Sequence, residues 1–270
     1  MHNGELHDFK LHNDAEDRRH AAWAPEWGVS QISIVLPAYR NAATLAELHA
    51  RLVRALEPEG ATLELVIVDD ACPAGSGEVA LRLAAADSRV RVITHDRNQG
   101  QRMAVWHGLA AARGDVIVSM DADLQDRPES VPLLLHELRE RRLAAVFGDR
   151  EGEYQGRLRM ATSYVFKRLL YRLTGLPQEA GTFVALTHEA RDRILRIETA
   201  APSLALVLCA AGLPLGSVPV VRETRATGES AYTEWMRIRL ACNDLRVVWK
   251  LRRKFRTTSG RGRAAPNCEP

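Results

Sequence analysis

Residues 116–126 read Val-Ile-Val-Ser-Met-Asp-Ala-Asp-Leu-Gln-Asp, an apolar run that ends in a cluster of acids. Its first part is rich in β-branched residues, which predicts a strand. The runs Ile32–Ala38 and Leu63–Asp69 have a similar form, because each is apolar and is followed by polar residues. Near-continuous apolar strands are typical of a sheet covered on both faces. The stretch therefore predicts a strand of a buried, largely parallel sheet with acids at its carboxyl end.

Predicted strands and helices alternate through the first half of the chain. The strands are predicted at Ile32–Ala38, Leu63–Asp69, Val90–Thr94, Val116–Met120 and Ala144–Phe147. The helices are predicted at Thr44–Leu56, Gly77–Ala86, Arg102–Ala112 and Pro128–Arg141. This alternation predicts an α/β fold with a doubly wound, mostly parallel sheet flanked by helices. Such sheets bind ligands beyond the carboxyl ends of their strands, where the polar residues gather here.

The remainder of the chain is less regular. Helices are predicted at Arg159–Leu173, His188–Ile197, Ser203–Ala211 and Thr233–Arg253, with a strand at Leu215–Val221. Residues 1–29 predict a flexible tail and residues 257–270 a disordered basic tail, which leaves 30–256 as one domain. Residues 200–221 carry no charge, but prolines and glycines interrupt them. No transmembrane helix is therefore expected.

Composition excludes several classes of protein. The net charge of +3 over 270 residues gives no general electrostatic reason to expect nucleic-acid binding. The four cysteines form no Cys-x-x-Cys pair, so neither a zinc cluster nor a disulfide framework is expected. Reduced thiols and the absence of an apolar leader near the first residue favour a cytoplasmic protein.

The acidic run has the spacing of a metal site. Asp121, Asp123 and Gln125 place oxygen atoms at alternate positions after a strand, and oxygen ligands suit Mg²⁺ or Mn²⁺. The alternative is a solvated acidic turn in which Asp126 caps the following helix. Asp69 and Asp70 end a second strand, and this convergence favours the metal site.

Five motifs together resemble those of family 2 glycosyltransferases with the GT-A fold, whose nucleotide-binding half is Rossmann-like. In chain order they are Pro37-Ala38-Tyr39, Val68-Asp69-Asp70, Asn98-Gln99-Gly100 with Ala104 and Gly108, Gly114-Asp115, and Met120 to Asp126. The resemblance covers roughly residues 32–248. The form Asp-Ala-Asp-Leu-Gln-Asp resembles the branch of dolichyl- and polyprenyl-phosphate sugar synthases, which includes dolichol-phosphate mannose synthase.

The resemblance implies roles for the residues at the strand ends. A nucleotide-sugar donor would be held by Pro37, Ala38, Tyr39, Asp69, Asp70 and Gln99. Asp121, Asp123 and Gln125 would hold the metal ion and the donor diphosphate, and Asp126 would orient the acceptor or the sugar. Departures from the usual pattern at Arg40 and Ala71 leave UDP, GDP and dTDP donors open. Residues 179–185, around Phe183, are expected to line the sugar pocket.

The same resemblance implies a lipid phosphate as acceptor. Arg150, Arg159 and Ser163 fall where that branch holds the acceptor phosphate, and guanidinium and hydroxyl groups suit such a ligand. The alternative is a solvated basic loop that only makes the following helix soluble. A lipid phosphate is ionised at neutral pH, so it can attack without a strong general base.

A third motif runs from Arg222 to Tyr232 and resembles the family loop Arg-x-x-Gly-x-Ser-Lys-Tyr, which closes over the donor. Arg225 and Ser230 are the donor-binding candidates in this loop. The usual lysine is Ala231 here, which weakens the expected hold on the donor.

The predicted helix at about 233–253 bears on the membrane. Tryptophans and aliphatic residues recur at helical spacing among arginines and lysines, which is typical of a helix at a membrane surface. A helix packed on the domain with a solvated basic face is an equal alternative. The chain is therefore expected in the cytoplasm, with peripheral attachment to the cytoplasmic membrane face as one alternative.

The leading hypothesis is an inverting transfer of a hexose or modified hexose from a nucleotide sugar to polyprenyl phosphate. A near alternative keeps the donor but uses a soluble acceptor, such as a glycan or natural product. A nucleotide-sugar-binding subunit without turnover is less well supported, because the acidic set is complete. An NAD(P) oxidoreductase is excluded because no Gly-x-Gly-x-x-Gly follows the first strand. Neither nucleic-acid binding nor any oligomeric state is predicted.

Overall fold

A seven-stranded sheet lies at the centre of the residues that the structure, a computed structural model, describes: 30–151, 181–197 and 203–223. The side chains of Arg150 and Glu151 are outside this description. The strands are β1 (Gln31–Ala38), β2 (Thr62–Asp69), β3 (Val90–Thr94), β4 (Val116–Ser119), β5 (Ala145–Glu151), β6 (Val184–Thr187) and β7 (Leu215–Val221).

Helices connect or follow these strands. They are α1 (Leu45–Leu56), α2 (Ser76–Ala86), α3 (Gln101–Ala111), α4 (Val131–Glu140), α5 (His188–Leu195) and α6 (Leu204–Ala210), with short 3₁₀ turns at Glu57–Glu59 and Pro128–Ser130.

The sheet is mixed but mostly parallel. Its order is β3-β2-β1-β4-β6-β5-β7, and only β6, among the strands described, runs against its neighbours. Ala38 is paired with Asp69, and Asp69 with Thr94, so the carboxyl ends of β1, β2 and β3 are level. Side chains that follow these strands therefore reach the same edge of the sheet, which we call the carboxyl edge.

Both faces of the sheet are covered, as its apolar strands require. Alternate residues of β1 point to opposite faces, so Ile34 and Leu36 pack with α1, α2 and α4, whereas Val35 packs with α3 and with the cluster formed by α5 and α6. These side chains are almost wholly buried. The prediction of a doubly wound α/β fold is thus confirmed.

The predicted elements agree with the structure to within a few residues at their ends, except for one strand. β6 was not predicted, and Phe183, expected in the sugar pocket, is fully buried in the core. The predicted helices at 159–173 and 233–253, and both tails, lie outside the described residues. In the described part of the chain, no helix has the length and apolar character needed to cross a membrane.

Two glycines of the recognised motifs allow close packing beneath the site. A Cβ atom at Gly108 would lie 2.3 Å from Val35 Cγ1, so α3 can approach the sheet only because this position has no side chain. A Cβ atom at Gly114 would lie 2.6 Å from the backbone nitrogen of Ser33. These glycines are explained by packing rather than by contact with a ligand.

Candidate functional site

Three loops meet at the carboxyl edge, and each contains a strained residue. Arg40, Ala71 and Leu124 have φ angles of 62°, 51° and 60°, in the left-handed region that residues other than glycine rarely adopt. They follow β1, β2 and β4 respectively. Backbone strain of this kind persists where surrounding contacts hold it, and it is concentrated at functional sites.

Asp121 is held by two neutral donors from different elements. Its Oδ1 accepts hydrogen bonds from Gln101 Nε2 at 2.5 Å and from Thr182 Oγ1 at 2.9 Å. Gln101 is the first residue of α3, and Thr182 stands just ahead of β6. Both donors are uncharged groups, and together they orient the carboxylate.

The rest of the acidic loop is ordered by contacts of its own. The backbone nitrogen of Gln125 donates to Asp123 Oδ1 over 3.1 Å. Thr44 Oγ1 donates to the carbonyl oxygen of Ala122 over 2.6 Å, which ties this loop to the loop after β1. Asp121 and Asp123 are both half-buried, so each can still meet a ligand from solvent.

Arg222, at the end of β7, contacts the last part of the acidic run. Its Nη2 donates to Gln125 Oε1 over 2.6 Å, and its backbone pairs with that of Asp126. Its Nε is buried and has no hydrogen-bond partner among the described residues. A guanidinium group therefore lies beside the oxygen that the sequence assigned to the metal.

Asp126 differs from the two other acids of the run because it is only 1% exposed. Arg127, not Asp126, occupies the cap position of the 3₁₀ turn that follows, and Ser130 occupies that of α4. The alternative in which Asp126 caps the helix is therefore wrong. Its assignment to the acceptor or the sugar stays a prediction.

An ion-pair network fixes the chain as it leaves β7. Arg51 of α1 lies 2.7 Å from Glu129 and 3.2 Å from Glu223, and Arg127 lies 2.9 Å from Glu223. The Arg51 guanidinium holds the pKa of Glu129 below its usual value. Glu223 also donates its backbone N–H to the carbonyl oxygen of Gln125. The network thereby connects α1, β7 and the acidic loop.

Asp69 and Tyr39 line the neighbouring part of the edge. Asp69 is 5% exposed and accepts a hydrogen bond from the backbone nitrogen of Cys72 at 3.2 Å. A Cβ atom at Gly77 would lie 2.4 Å from Asp69 Oδ2, so the glycine makes room for this carboxylate. The Arg40 guanidinium carbon stands 5.6 Å from the centre of the Tyr39 ring.

The thiol of Cys72 is part of the same edge. Its sulfur accepts hydrogen bonds from the backbone nitrogens of Arg40 and Ala74 at 3.1 and 3.3 Å. Burial alone would raise the pKa of Cys72, but hydrogen bonds from Ser76 and these backbone groups lower it overall. The hydrogen bond from Arg40 to the thiol thus stabilises the strained loop after β1.

Asp70 is buried and accepts three hydrogen bonds from the protein. His95 Nδ1 and the backbone nitrogen of Gln99 approach its Oδ1 at 2.8 and 2.7 Å, and the nitrogen of Gly100 approaches Oδ2 at 2.7 Å. Only 2% of Asp70 is exposed. These contacts show Asp70 holding the loop before α3, while the Gln99 side chain is exposed at the edge.

The family follows from a comparison with known sequences. Residues 33–195 match the sequence profile described as glycosyl transferase family 2. The chain belongs to this family. Its fold is the GT-A arrangement implied by the sequence motifs.

Two relatives show the range of similarity. A Bacillus subtilis (strain 168) protein described as the uncharacterized glycosyltransferase YkcC is 30% identical over 206 residues, which are 75% of this chain and 63% of the relative. An undecaprenyl-phosphate 4-deoxy-4-formamido-L-arabinose transferase of Salmonella paratyphi B is 28% identical over 210 residues, 76% and 63% of the two chains. This glycosyltransferase therefore spans less than two thirds of each relative.

The fold also matches a solved structure of the same type. Glucosyl-3-phosphoglycerate synthase from Mycobacterium tuberculosis, in complex with Mn²⁺ and uridine-diphosphate-glucose, superposes with a TM-score of 0.59. The alignment covers 87% of this chain and 82% of that chain at 19% identity. At this identity the match shows the fold.

The glycosyltransferase brings most of its predicted site residues to one edge. These are Pro37, Ala38, Tyr39, Asp69, Asp70, Gln99, Asp121, Asp123, Gln125 and Asp126. Four others lie outside the described residues: Arg159, Ser163, Arg225 and Ser230. Arg150 is in β5, but its side chain is not described.

Sequence reasoning missed three residues of this glycosyltransferase that contact the acidic run. Gln101 could have been noticed, because it starts a helix directly after the Asn98–Gly100 motif. Arg222 was part of a quoted motif, but Arg225 was chosen in its place. Thr182 was included only as part of residues 179–185, expected to line the sugar pocket, and its contact with Asp121 depends on the unpredicted strand β6.

The donor atoms of the glycosyltransferase fit a hard divalent cation. Asp121 and Asp123 supply carboxylate oxygens at a half-buried strand end, and neutral donors fix Asp121. Within the described ranges, no three His, Cys, Asp or Glu side chains form a metal cage. That suits Mg²⁺ or Mn²⁺ beside a nucleotide, since one or two carboxylates suffice when diphosphate and water complete the coordination.

Proposed function

We propose that this glycosyltransferase moves a hexose or modified hexose from a nucleotide sugar to polyprenyl phosphate, with inversion and with Mg²⁺ or Mn²⁺. The observation that carries the proposal is the placement of Asp121 and Asp123 at the end of β4, with Asp121 oriented by Gln101 and Thr182. A metal held there would neutralise the diphosphate that leaves with the nucleotide.

The residues of the carboxyl edge have distinct tasks in this proposal. Asp69, Tyr39 and the exposed Gln99 side chain bind the nucleoside end of the donor. Asp121 and Asp123 hold the metal and so orient the diphosphate. Arg222 holds Gln125 in place and adds positive charge beside the leaving group. The loop containing Arg225 and Ser230 closes over the donor.

The chemical step needs positioning more than proton transfer. An oxygen of the acceptor phosphate attacks the anomeric carbon from the face opposite the diphosphate. The bond to the diphosphate breaks, and its electron pair leaves with the nucleotide, which inverts the configuration. Because the attacking phosphate is already ionised, the protein needs to hold two anions close together and exclude water.

The acceptor is inferred from two sources. A relative at 28% identity is named as an undecaprenyl-phosphate sugar transferase, although this chain spans only 63% of it. Arg150 is the residue before the last in β5, a strand that runs in the same direction as β4 and so ends towards the same edge. We assign Arg150, Arg159 and Ser163 to the acceptor phosphate, and the basic helix predicted at 233–253 to the membrane surface that presents the lipid.

A donor panel tests this function directly. Radiolabelled UDP-, GDP- and dTDP-sugars would each be offered with polyprenyl phosphate in detergent, with Mn²⁺, with Mg²⁺, or with EDTA. We expect one donor class to give a lipid-extractable labelled product, and only when metal is present. Label that reaches only water-soluble acceptors would contradict the lipid assignment, and full transfer in EDTA would contradict the metal.

Arg159 offers a separate test of the acceptor site. Replacing it with alanine should reduce transfer to polyprenyl phosphate about 100-fold, because a charge-assisted hydrogen bond to phosphate is lost. Slow hydrolysis of the donor should change by less than about threefold, since the donor site is intact. Arg139→Ala, on the exposed surface of α4, is the matched control. Equal losses of transfer and hydrolysis in the Arg159 variant would remove its acceptor role.

A further inference from the structure

A hydrogen-bonded chain of three titratable side chains runs behind the site. Asp70 Oδ1 lies 2.8 Å from His95 Nδ1, and His95 Nε2 lies 2.8 Å from His107 Nδ1. The two imidazole rings meet edge to face, with 4.8 Å between their centres and 86° between their planes. The side chain of His95 is only 4% exposed, whereas His107 on α3 is half-buried.

The order of donors in this chain follows from its chemistry. A carboxylate only accepts hydrogen bonds, so His95 Nδ1 carries a proton and donates to Asp70. In the neutral ring, His95 Nε2 is then an acceptor, and His107 Nδ1 must donate to it. When both rings are neutral, this order leaves one tautomer for each histidine. The chain fixes the His95 ring, which in turn fixes the Asp70 carboxylate.

Asp70 connects the two histidines to the acidic run. Its two oxygens also accept the backbone N–H groups of Gln99 and Gly100, the last residues before α3. The next residue, Gln101, starts α3 and donates to Asp121 Oδ1. Hydrogen bonds therefore link His107 through His95 and Asp70 to Gly100, the next residue is Gln101, and Gln101 is hydrogen-bonded to Asp121. Gly100 has a φ of 90°, a backbone conformation that glycine adopts readily.

We propose that His95 and His107 are positioning residues for the metal site, acting on Asp121 through Asp70 and Gln101. This inference rests on the proposed function, because it assumes that Asp121 holds a divalent cation. The two histidines align Asp121 before the ion and the donor bind. Replacing them should therefore lower the affinity for metal more than the turnover rate at saturating metal.

The first test measures Mn²⁺ affinity of the full chain by electron paramagnetic resonance, with UDP, GDP or dTDP present to supply the diphosphate oxygens that complete the coordination. His95→Leu removes the donor to Asp70, whereas His95→Asn keeps an N–H at the position of Nδ1. We expect the leucine variant to bind Mn²⁺ about tenfold more weakly, and the asparagine variant to recover most of that loss. His107→Leu and His107→Asn form a second pair at a less buried position. Thermal unfolding shows that each variant is folded.

A double-mutant cycle separates positioning from general loosening of the fold. If His95 acts through Gln101, then His95→Leu should weaken Mn²⁺ binding far less in a Gln101→Leu background than in the wild type. Additive losses would overturn the positioning role. The tautomers supply a readout independent of metal binding, since ¹⁵N spectra should show His95 protonated at Nδ1.

The outcomes distinguish this inference from the proposed function. A wild-type chain that binds no Mn²⁺ would overturn the metal site, and this inference with it. A wild-type chain that binds Mn²⁺, together with leucine variants that bind it equally well, would overturn only the role of the histidines. Coupled losses that the asparagine variants largely restore would support both.

Discussion

Replacing Asp123 with asparagine is expected to reduce metal-dependent sugar transfer about 10³-fold, equivalent to about 4 kcal/mol of transition-state stabilisation. Asparagine has nearly the same shape and can still accept the backbone N–H of Gln125, which Asp123 receives at 3.1 Å. The substitution therefore removes the charge that is proposed to bind metal while it preserves the local hydrogen bond. The loss should come from catalysis and not from unfolding.

Initial rates at several Mn²⁺ concentrations would measure this effect, with thermal unfolding recorded for the same samples. Glu140→Gln, at the exposed end of α4, removes a charge of the same sign away from the carboxyl edge and is the control. Its activity should stay close to that of the wild type. An Asp123→Asn variant with wild-type rate and metal dependence would refute the metal assignment.

Gly114→Ala is expected to destabilise the fold by about 3 kcal/mol, the upper range for an overpacked core position. The added Cβ would lie 2.6 Å from the backbone nitrogen of Ser33 and 2.9 Å from the carbonyl oxygen of Val116. Neither atom can swing away, because both belong to the backbone of paired strands. The same change would push apart the buried contact between Gly114 N and Ser33 Oγ, which is 2.8 Å long.

Urea unfolding of the wild type and of the Gly114→Ala variant would measure the difference in their free energies of unfolding. Gly60→Ala is the matched control. Gly60 has a φ of 67° but nothing within 4 Å of a built Cβ, so its alanine variant adds backbone strain without a clash. That strain costs about 1 kcal/mol. If Gly114→Ala and Gly60→Ala lowered the free energy of unfolding by the same amount, close packing beneath the site would not explain why residue 114 is glycine.

The parts of the fold that could be predicted are those with a local signal. The apolar runs of β1, β2 and β4 mark strands because each is long or bounded by polar residues. The strand β6 has only four residues and runs antiparallel between β4 and β5. β4 is equally short, but an acidic run marks its end, whereas no such run follows β6, which is why β6 was missed.

The site was predictable in its location but not in its internal contacts. Parallel strands place their ends together, so Asp69 and Asp121 could be assigned to one edge from the order of the motifs. The difference between the half-buried Asp123 and the buried Asp126 depends on the chain leaving β7, which is distant in sequence. The contacts of Arg222 with Gln125 and of Thr182 with Asp121 have the same long-range origin.

The reversed strand β6 determines where the connection that is proposed to bind the acceptor phosphate begins and ends. The chain leaves β5 and enters β6 beside it, with Phe147 paired to Val184, so the intervening segment starts and ends next to the carboxyl edge. Lengthening such a segment costs little, about 0.6 kcal/mol of closure entropy for each doubling. The connection can therefore be replaced during evolution while the sheet and Asp121 stay in place. Because the proposed acceptor residues Arg159 and Ser163 lie in this connection, the proposal predicts that acceptor preference can change while the donor site is unchanged.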